Sequence, residues 1–238
     1  MDRNEAVLRE LNLYPLWQRR YQPAPLQAAA PAGEPETAET GGGTASAKGR
    51  EQLIGELGWP QLKDMVRNCT ACRLRAGCTQ TVFGVGDEQA EWLFVGEGPG
   101  ADEDAQGEPF VGQAGKLLDN MLLAIGLRRG KNVYIANIVK CRPPNNRTPE
   151  ADEIATCLPY LRRQIELIGP RLIVALGKTA ATALLGRDAP LGSLRGTLHA
   201  YRDIPLIVTY HPAYLLRSPM EKAKAWEDLR FAVKAMEG

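Results

Sequence analysis

The stretch EWLFVGEGPGADEDAQGEPFVGQAGKLLDNML, residues 91–122, opens on an apolar run, crosses a glycine-rich acidic loop and runs on into a helical segment at roughly 114–126. An apolar run bounded by glycine suits a strand covered on both faces, and the loop after it leads into a helix N-terminus. Three more such runs follow: NVYIANIV (132–139), RLIVALG (171–177) and PLIVTYH (205–211). Helical segments separate or follow them at roughly 149–168, 178–186 and 219–236. Thr148 is placed to cap the helix that opens at Pro149. Alternation of this kind predicts an α/β fold, a three-layer α/β/α domain around a mostly parallel sheet of four strands.

In such sheets ligands bind beyond the carboxyl ends of the strands. Three of these ends carry unusual residues: GEGPG after the first, NIVKCRPP at the second and HPAYLLR at the fourth. The first loop holds Gly96, Gly98, Gly100, Gly107, Gly112 and Gly115 with the acids Glu97, Asp102, Glu103 and Asp104. Glycine there lets a backbone approach a ligand, or simply lets the chain turn tightly from strand to helix. The loop is acidic and no Gly-Lys-Ser/Thr follows, which argues against a phosphate loop. Of the two histidines, His211 follows an apolar strand and precedes a proline, a setting for chemistry, whereas His199 is expected in a surface loop.

The chain has 238 residues, 44% hydrophobic and 24% charged, with a formal net charge of +1. It contains no apolar run long enough to span a membrane and no secretory signal, so a cytoplasmic location is expected. Thiols stay reduced there, and five cysteines point to metal ligation rather than disulfides. Three regions divide the chain. Residues 1–21 hold a short amphipathic helix with Val7, Leu8 and Leu11 at helical spacing. Residues 22–48 are almost wholly Ala, Pro, Gly, Glu and Thr, a composition expected of a disordered tether. Residues 49–238 form the compact domain.

Taken together, GEGPGADEDAQGEPFVGQAGKLLD, NIVKCRPP and HPAYLLR, with CTAC upstream, closely resemble the family 4 uracil-DNA glycosylases from about residue 60 to the C-terminus. The resemblance implies a repair enzyme that hydrolyses the N-glycosidic bond of uracil in DNA, and a [4Fe-4S] cluster on Cys69, Cys72, Cys141 and Cys157. Four thiolates, two in a Cys-x-x-Cys turn, suit such a cluster, although ligand type alone also admits zinc. Cys78 is left over, as a free buried thiol or an alternative ligand.

The same resemblance assigns the pocket. Phe110 stacks on the base, and the Asn137 amide donates to uracil O4 and accepts from N3–H. His211 donates to O2, where charge builds as the bond breaks. Gly98 stands where other uracil glycosylases carry an aspartate. Glu97 and Glu103 remain as nearby carboxylates, Glu103 excluding the thymine methyl or orienting water. Leu215 fills the gap left by the flipped base, while Arg217 and Lys140 meet phosphates.

The segment LRELNLYPLWQRR resembles the N-terminal segment of the ψ subunit of the bacterial replicative clamp loader, its tryptophan offset by one position. Leu8, Leu11, Leu13, Trp17, Arg19 and Arg20 carry that pattern, which implies docking on clamp-loader or replisome subunits through residues 2–20. Two functions follow: a uracil-DNA glycosylase tethered to the replisome, or a clamp-loader ψ subunit that reuses the glycosylase fold as an interaction module.

Overall fold

The structure, a computed structural model, describes residues 43–237, so the expected peptide at residues 1–21 and most of the tether lie outside it. Helix α1 spans Gly43–Glu56, so regular structure begins six residues before the expected domain start at 49. Ile54 of α1 is buried in the core. Two further helices, α2 (Trp59–Arg67) and α3 (Leu74–Gly77), lead to the short strand β1 (Val85–Gly86).

The segment at 91–122 folds as its pattern predicts. Strand β2 (Trp92–Gly96) is followed by α4 (Ala101–Gln106) and α5 (Gln113–Ala124). The rest alternates: β3 (Val133–Asn137), α6 (Ala151–Ile168), β4 (Leu172–Leu176), α7 (Lys178–Leu185), α8 (Leu191–Leu194), β5 (His199–Tyr201), β6 (Ile204–Thr209), α9 (Pro212–Arg217) and α10 (Lys222–Glu237).

The strand order is β1-β3-β2-β4-β6-β5. The central four, β3, β2, β4 and β6, are parallel, which is the expected core. Two short strands absent from the four-strand expectation, β1 and β5, pair antiparallel at its edges. They are two and three residues long, too short to give a periodic signal. His199 opens β5 rather than lying in a loop; its Nε2 contacts the Leu194 carbonyl at 2.8 Å and its Nδ1 faces Arg187.

Side chains alternate across the sheet, so every strand feeds two cores. Leu93, Val95, Ala136, Ile173 and Val208 face α1, α2, α6 and α7. Trp92, Phe94, Ile135, Val174 and Ile207 face α5 and α10. Both faces being covered explains why the strands are continuously apolar. The cap of α6 differs from expectation: its N-cap is Glu150, and Glu153 accepts from the Glu150 N–H at 2.8 Å. Buried Glu153 is anchored there by Arg147 and Arg73, which draws the start of the helix past Pro149.

From β2 the chain moves to β3 on one side, then crosses to β4 on the other. That reversal opens a crevice at the carboxyl end of β2, where diverging loops leave adjacent strands. The register Gly96↔Asn137 brings the ends of β2 and β3 level at its floor.

Candidate active site

A cavity of about 570 Å³ occupies this crevice. Its walls come from the β2–α4 loop (Glu97, Gly98, Pro99, Gly100), from Glu103, Phe110 and Asn137, from the 143–148 loop, and from His211, Tyr214 and Arg217 at the β6–α9 end. The three strand ends singled out by sequence therefore meet in one place.

Asn137 ends β3 and is 2% exposed. Its Oδ1 is buried without a hydrogen-bond partner among the described residues. A buried acceptor left unpaired costs free energy and marks a place prepared for a donor. A Cβ on Gly96 would lie 2.5 Å from both Asn137 Oδ1 and the Phe110 ring, so only glycine at 96 lets the two side chains share this floor. Phe110 adopts φ 56°, and its ring lies 5.5 Å from that of His211 at an interplanar angle of 31°.

His211 caps α9: its Nδ1 accepts from the Ala213 N–H at 3.2 Å. With Nδ1 an acceptor, the ring proton sits on Nε2. Burial, followed by the nearby Arg217 charge, lowers the His211 pKa to about 4. The imidazole is therefore neutral at pH 7 and offers one N–H. Gly177, at φ 91°, permits this packing, since a Cβ there would lie 3.0 Å from the His211 Cβ.

The two carboxylates differ. Glu103 Oε1 accepts from the N–H groups of Val111 (2.9 Å) and Gly112 (3.1 Å), and its Oε2 from Gly100 (3.0 Å). It is occupied in holding the loops. Glu97 receives a hydrogen bond from the Thr179 hydroxyl and otherwise faces the cavity. A Cβ on Gly98 would meet Val139 Cγ2 at 2.8 Å, so a side chain at 98 requires Val139 to move.

Two expected contacts are corrected. Leu215 is 1% exposed and packs in the core beneath the sheet, because the turn of α9 points it inward. The exposed residues beside it are Tyr214, Leu216 and Arg217. Lys140 is 1% exposed and cannot meet phosphate. Its Nζ donates to the Asn137 carbonyl (3.0 Å) and to Gln164 Oε1 (2.6 Å), and burial lowers its pKa to about 8. Arg217 is exposed and lines the cavity.

The geometry agrees with the comparisons. The sequence model of the uracil DNA glycosylase superfamily matches residues 83–230. The chain is 45% identical over 177 residues to a type-4 uracil-DNA glycosylase of Pyrobaculum aerophilum, covering 71% of this chain and 90% of that protein. It is 47% identical over 162 residues to the type-4 enzyme of Thermotoga maritima, covering 66% and 82%. This chain belongs to the type-4 uracil-DNA glycosylases. A type-5 uracil-DNA glycosylase of Thermus thermophilus is a more distant relative, 35% identical over 135 residues covering 51% of this chain and 59% of that protein.

A second, small cavity is lined in part by Cys69, Cys72, Cys141 and Cys157, the four thiols that the type-4 resemblance pairs with a cluster. Among the described residues no three His, Cys, Asp or Glu side chains form a group that could hold a single metal ion. The four thiols rim a shared space instead. Around them stand N–H donors of the kind that stabilise ligand sulfurs: the Lys140 N–H is 3.2 Å from Cys157 Sγ, and Arg50 Nη2 is 4.0 Å from Cys69 Sγ. Burial raises the pKa of Cys72 and Cys141, and pushes that of Cys157 up to about 11. Cys78 is buried beside Cys141 but is not part of that lining.

Sequence reasoning missed Thr179, Tyr214 and the 143–148 wall. Thr179 lies just past the carboxyl end of β4, the one strand end whose residues looked ordinary, and the strand-end rule applied evenly would have found it.

Proposed function

We propose that the chain releases uracil from DNA by hydrolysis of the N-glycosidic bond, with the crevice as its active site. The observation that carries this reading is the buried, unpaired Asn137 Oδ1 beside the Phe110 ring and the neutral His211. A uracil flipped out of the stack lies on Phe110. Its N3–H donates to Asn137 Oδ1, and the Asn137 amide N–H donates to O4. As the bond from N1 to the sugar breaks, its electron pair passes onto uracil, and His211 Nε2–H donates to O2. A neutral imidazole serves here because it stabilises the anion without transferring a proton. Water adds to the sugar carbon and gives up its proton to a carboxylate, from which it passes to the departing uracil anion. Glu97 is the carboxylate that orients this water, since Glu103 is already committed to three backbone N–H groups. Tyr214 and Leu216 are the exposed apolar groups that fill the vacated stack, in place of Leu215, and Arg217 meets phosphate.

Cys69, Cys72, Cys141 and Cys157 hold a [4Fe-4S] cluster, which supplies a structural tie between segments far apart in sequence. Metal analysis of the purified protein separates this cluster from zinc, for which no group of three His, Cys, Asp or Glu side chains is brought together among the described residues. No helix among the described residues is long and apolar enough to cross a membrane. A cytoplasmic location is part of the proposal, because reduced thiols are what a cluster needs. Residues 2–20 are proposed to dock on a clamp-loader subunit; deleting residues 1–42 or Trp17→Ala is then expected to lower recovery of clamp-loader proteins while leaving excision unchanged. A catalytically silent ψ-type subunit is not favoured, because a pure interaction module has no use for an unpaired Asn137 beneath an open cavity.

The deciding assay incubates the protein with a uracil-containing oligonucleotide and cleaves abasic sites with alkali. Strand breaks at uracil alone are expected. Their absence from both single- and double-stranded substrate, with wild-type protein that carries its cluster, would overturn the reading. Asn137→Asp is expected to lower both rate and selectivity, because an ionised carboxylate cannot donate to O4.

A further inference from the structure

The base-stacking Phe110 stands in a conformation that aromatic residues rarely adopt, with φ 56°. Something outside the cavity has to hold it. Glu103 takes the N–H groups of Val111 and Gly112 on one side of this turn. On the other side, Arg129 reaches in from the loop before β3. Its Nη1 donates to the Pro109 carbonyl at 2.9 Å and its Nη2 to the Phe110 carbonyl at 2.7 Å. Asp119, on α5, accepts from Arg129 Nε at 2.9 Å and fixes the plane of the guanidinium. Gly115 completes the arrangement, because a Cβ there would lie 1.8 Å from the Phe110 carbonyl oxygen. A carboxylate thus takes the donors of the 109–112 turn and a guanidinium takes its acceptors.

We infer that Arg129, oriented by Asp119, is a positioning residue for uracil: it locks the Phe110 backbone so that the ring lies ready as the base platform. Arg129 is not among the residues lining the cavity, so it acts only through Phe110. Guanidinium geometry suits the task, since its fork spans two successive carbonyls and a lysine reaches one. Without the clamp the turn relaxes towards ordinary φ values, and binding the base must then include the cost of reordering the ring. The inference rests on the uracil pocket proposed above.

The test uses the full chain with its cluster and measures competitive inhibition by free uracil, affinity for a duplex with an abasic site, and thermal melting. Arg129→Met is expected to weaken inhibition by uracil about tenfold, the effect of losing charge-assisted hydrogen bonds. Affinity for abasic DNA, which has no base to stack, is expected to stay within about twofold on the same reasoning. Arg129→Lys should recover part of the loss and Asp119→Asn should show a smaller loss in the same direction. In a Phe110→Ala background, Arg129→Met should add nothing, because the platform is already gone. An unchanged uracil inhibition constant in Arg129→Met overturns the inference, as does an equal loss with and without Phe110. If Arg129→Met fails to fold, wild-type inhibition in both Arg129→Lys and Asp119→Asn overturns it. Wild-type protein that uracil does not inhibit would overturn the pocket reading itself, and this inference with it.

Discussion

Asn137 and Cys141 stand four residues apart at the end of β3, yet they belong to sites of opposite character. Asn137 opens on a cavity of about 570 Å³ whose groups are set in place by the protein alone. Its acceptor is unpaired, its histidine is neutral, and its aromatic ring is held against backbone strain. Cys141 lines a small space where burial favours the protonated thiols, the form that binds metal poorly. The proposed cluster would reverse that preference by supplying positive charge next to the sulfurs. The pocket is thus preorganised in the absence of a ligand, whereas the cysteine site would be completed by the proposed cofactor. Lys140 joins the two: its backbone N–H meets Cys157 Sγ and its ammonium meets the Asn137 carbonyl.

The largest effect should come from breaking the cysteine half. Cys141→Ala is expected to lose iron, visible absorbance and solubility together, while Cys78→Ala, outside the four-thiol lining, keeps its iron. Iron and zinc analysis of anaerobically purified protein checks both; stoichiometric zinc without iron in the wild type would remove the cluster from the comparison.

On the pocket half, His211→Ala is expected to slow single-turnover uracil release about a hundredfold or more, as loss of one preorganised donor does at oxyanion sites. Iron content should not change, which would show that the pocket can fail while the cysteine site stands.

Lys140→Met tests the connection. It leaves the Gln164 and Asn137 oxygens without their buried donor, at a cost of about 1–3 kcal/mol per group. A lower melting temperature is expected, with iron retained, since the Lys140 N–H to Cys157 comes from the backbone. Equal melting of variant and wild type would mean that the ammonium does not brace the floor of the pocket.

The smallest effect is expected from pH. The folded His211 pKa of about 4 lies below the usual value near 6.5, so the unfolded chain binds the extra proton between the two. Its contribution to stability is present above pH 6.5 and is lost as pH falls towards 4. Melting temperature should therefore show almost no His211-dependent change above about pH 7.5, and should fall more steeply from there towards pH 4 in wild type than in His211→Gln. Identical slopes would place the histidine in a solvated setting.

The parallel core was legible because its strands are buried on both faces, which leaves an unbroken apolar run in the sequence. The edge strands β1 and β5 were not, because two or three residues carry no period. Glu103 was legible as a carboxylate near the cavity, but not its three backbone partners, which come from segments up to nine residues away. HPAYLLR has one apolar residue after another, and nothing in that string says which leucine turns inward.

By itself the sequence determined the layered α/β class, the strand ends that converge and the residue types proposed to read uracil and to ligate a cluster. Each depends on local pattern or on chemical identity, which the chain carries wherever it folds. Only the tertiary structure decided that Leu215 lies in the core and Tyr214 at the rim, that Lys140 is buried beneath Asn137 rather than on a phosphate, and that Arg129 holds Phe110 from outside the cavity. Those outcomes depend on which face of a helix or strand meets the sheet, and on contacts between residues such as Arg129 and Phe110, 19 positions apart. Packing sets both, and no local pattern encodes them.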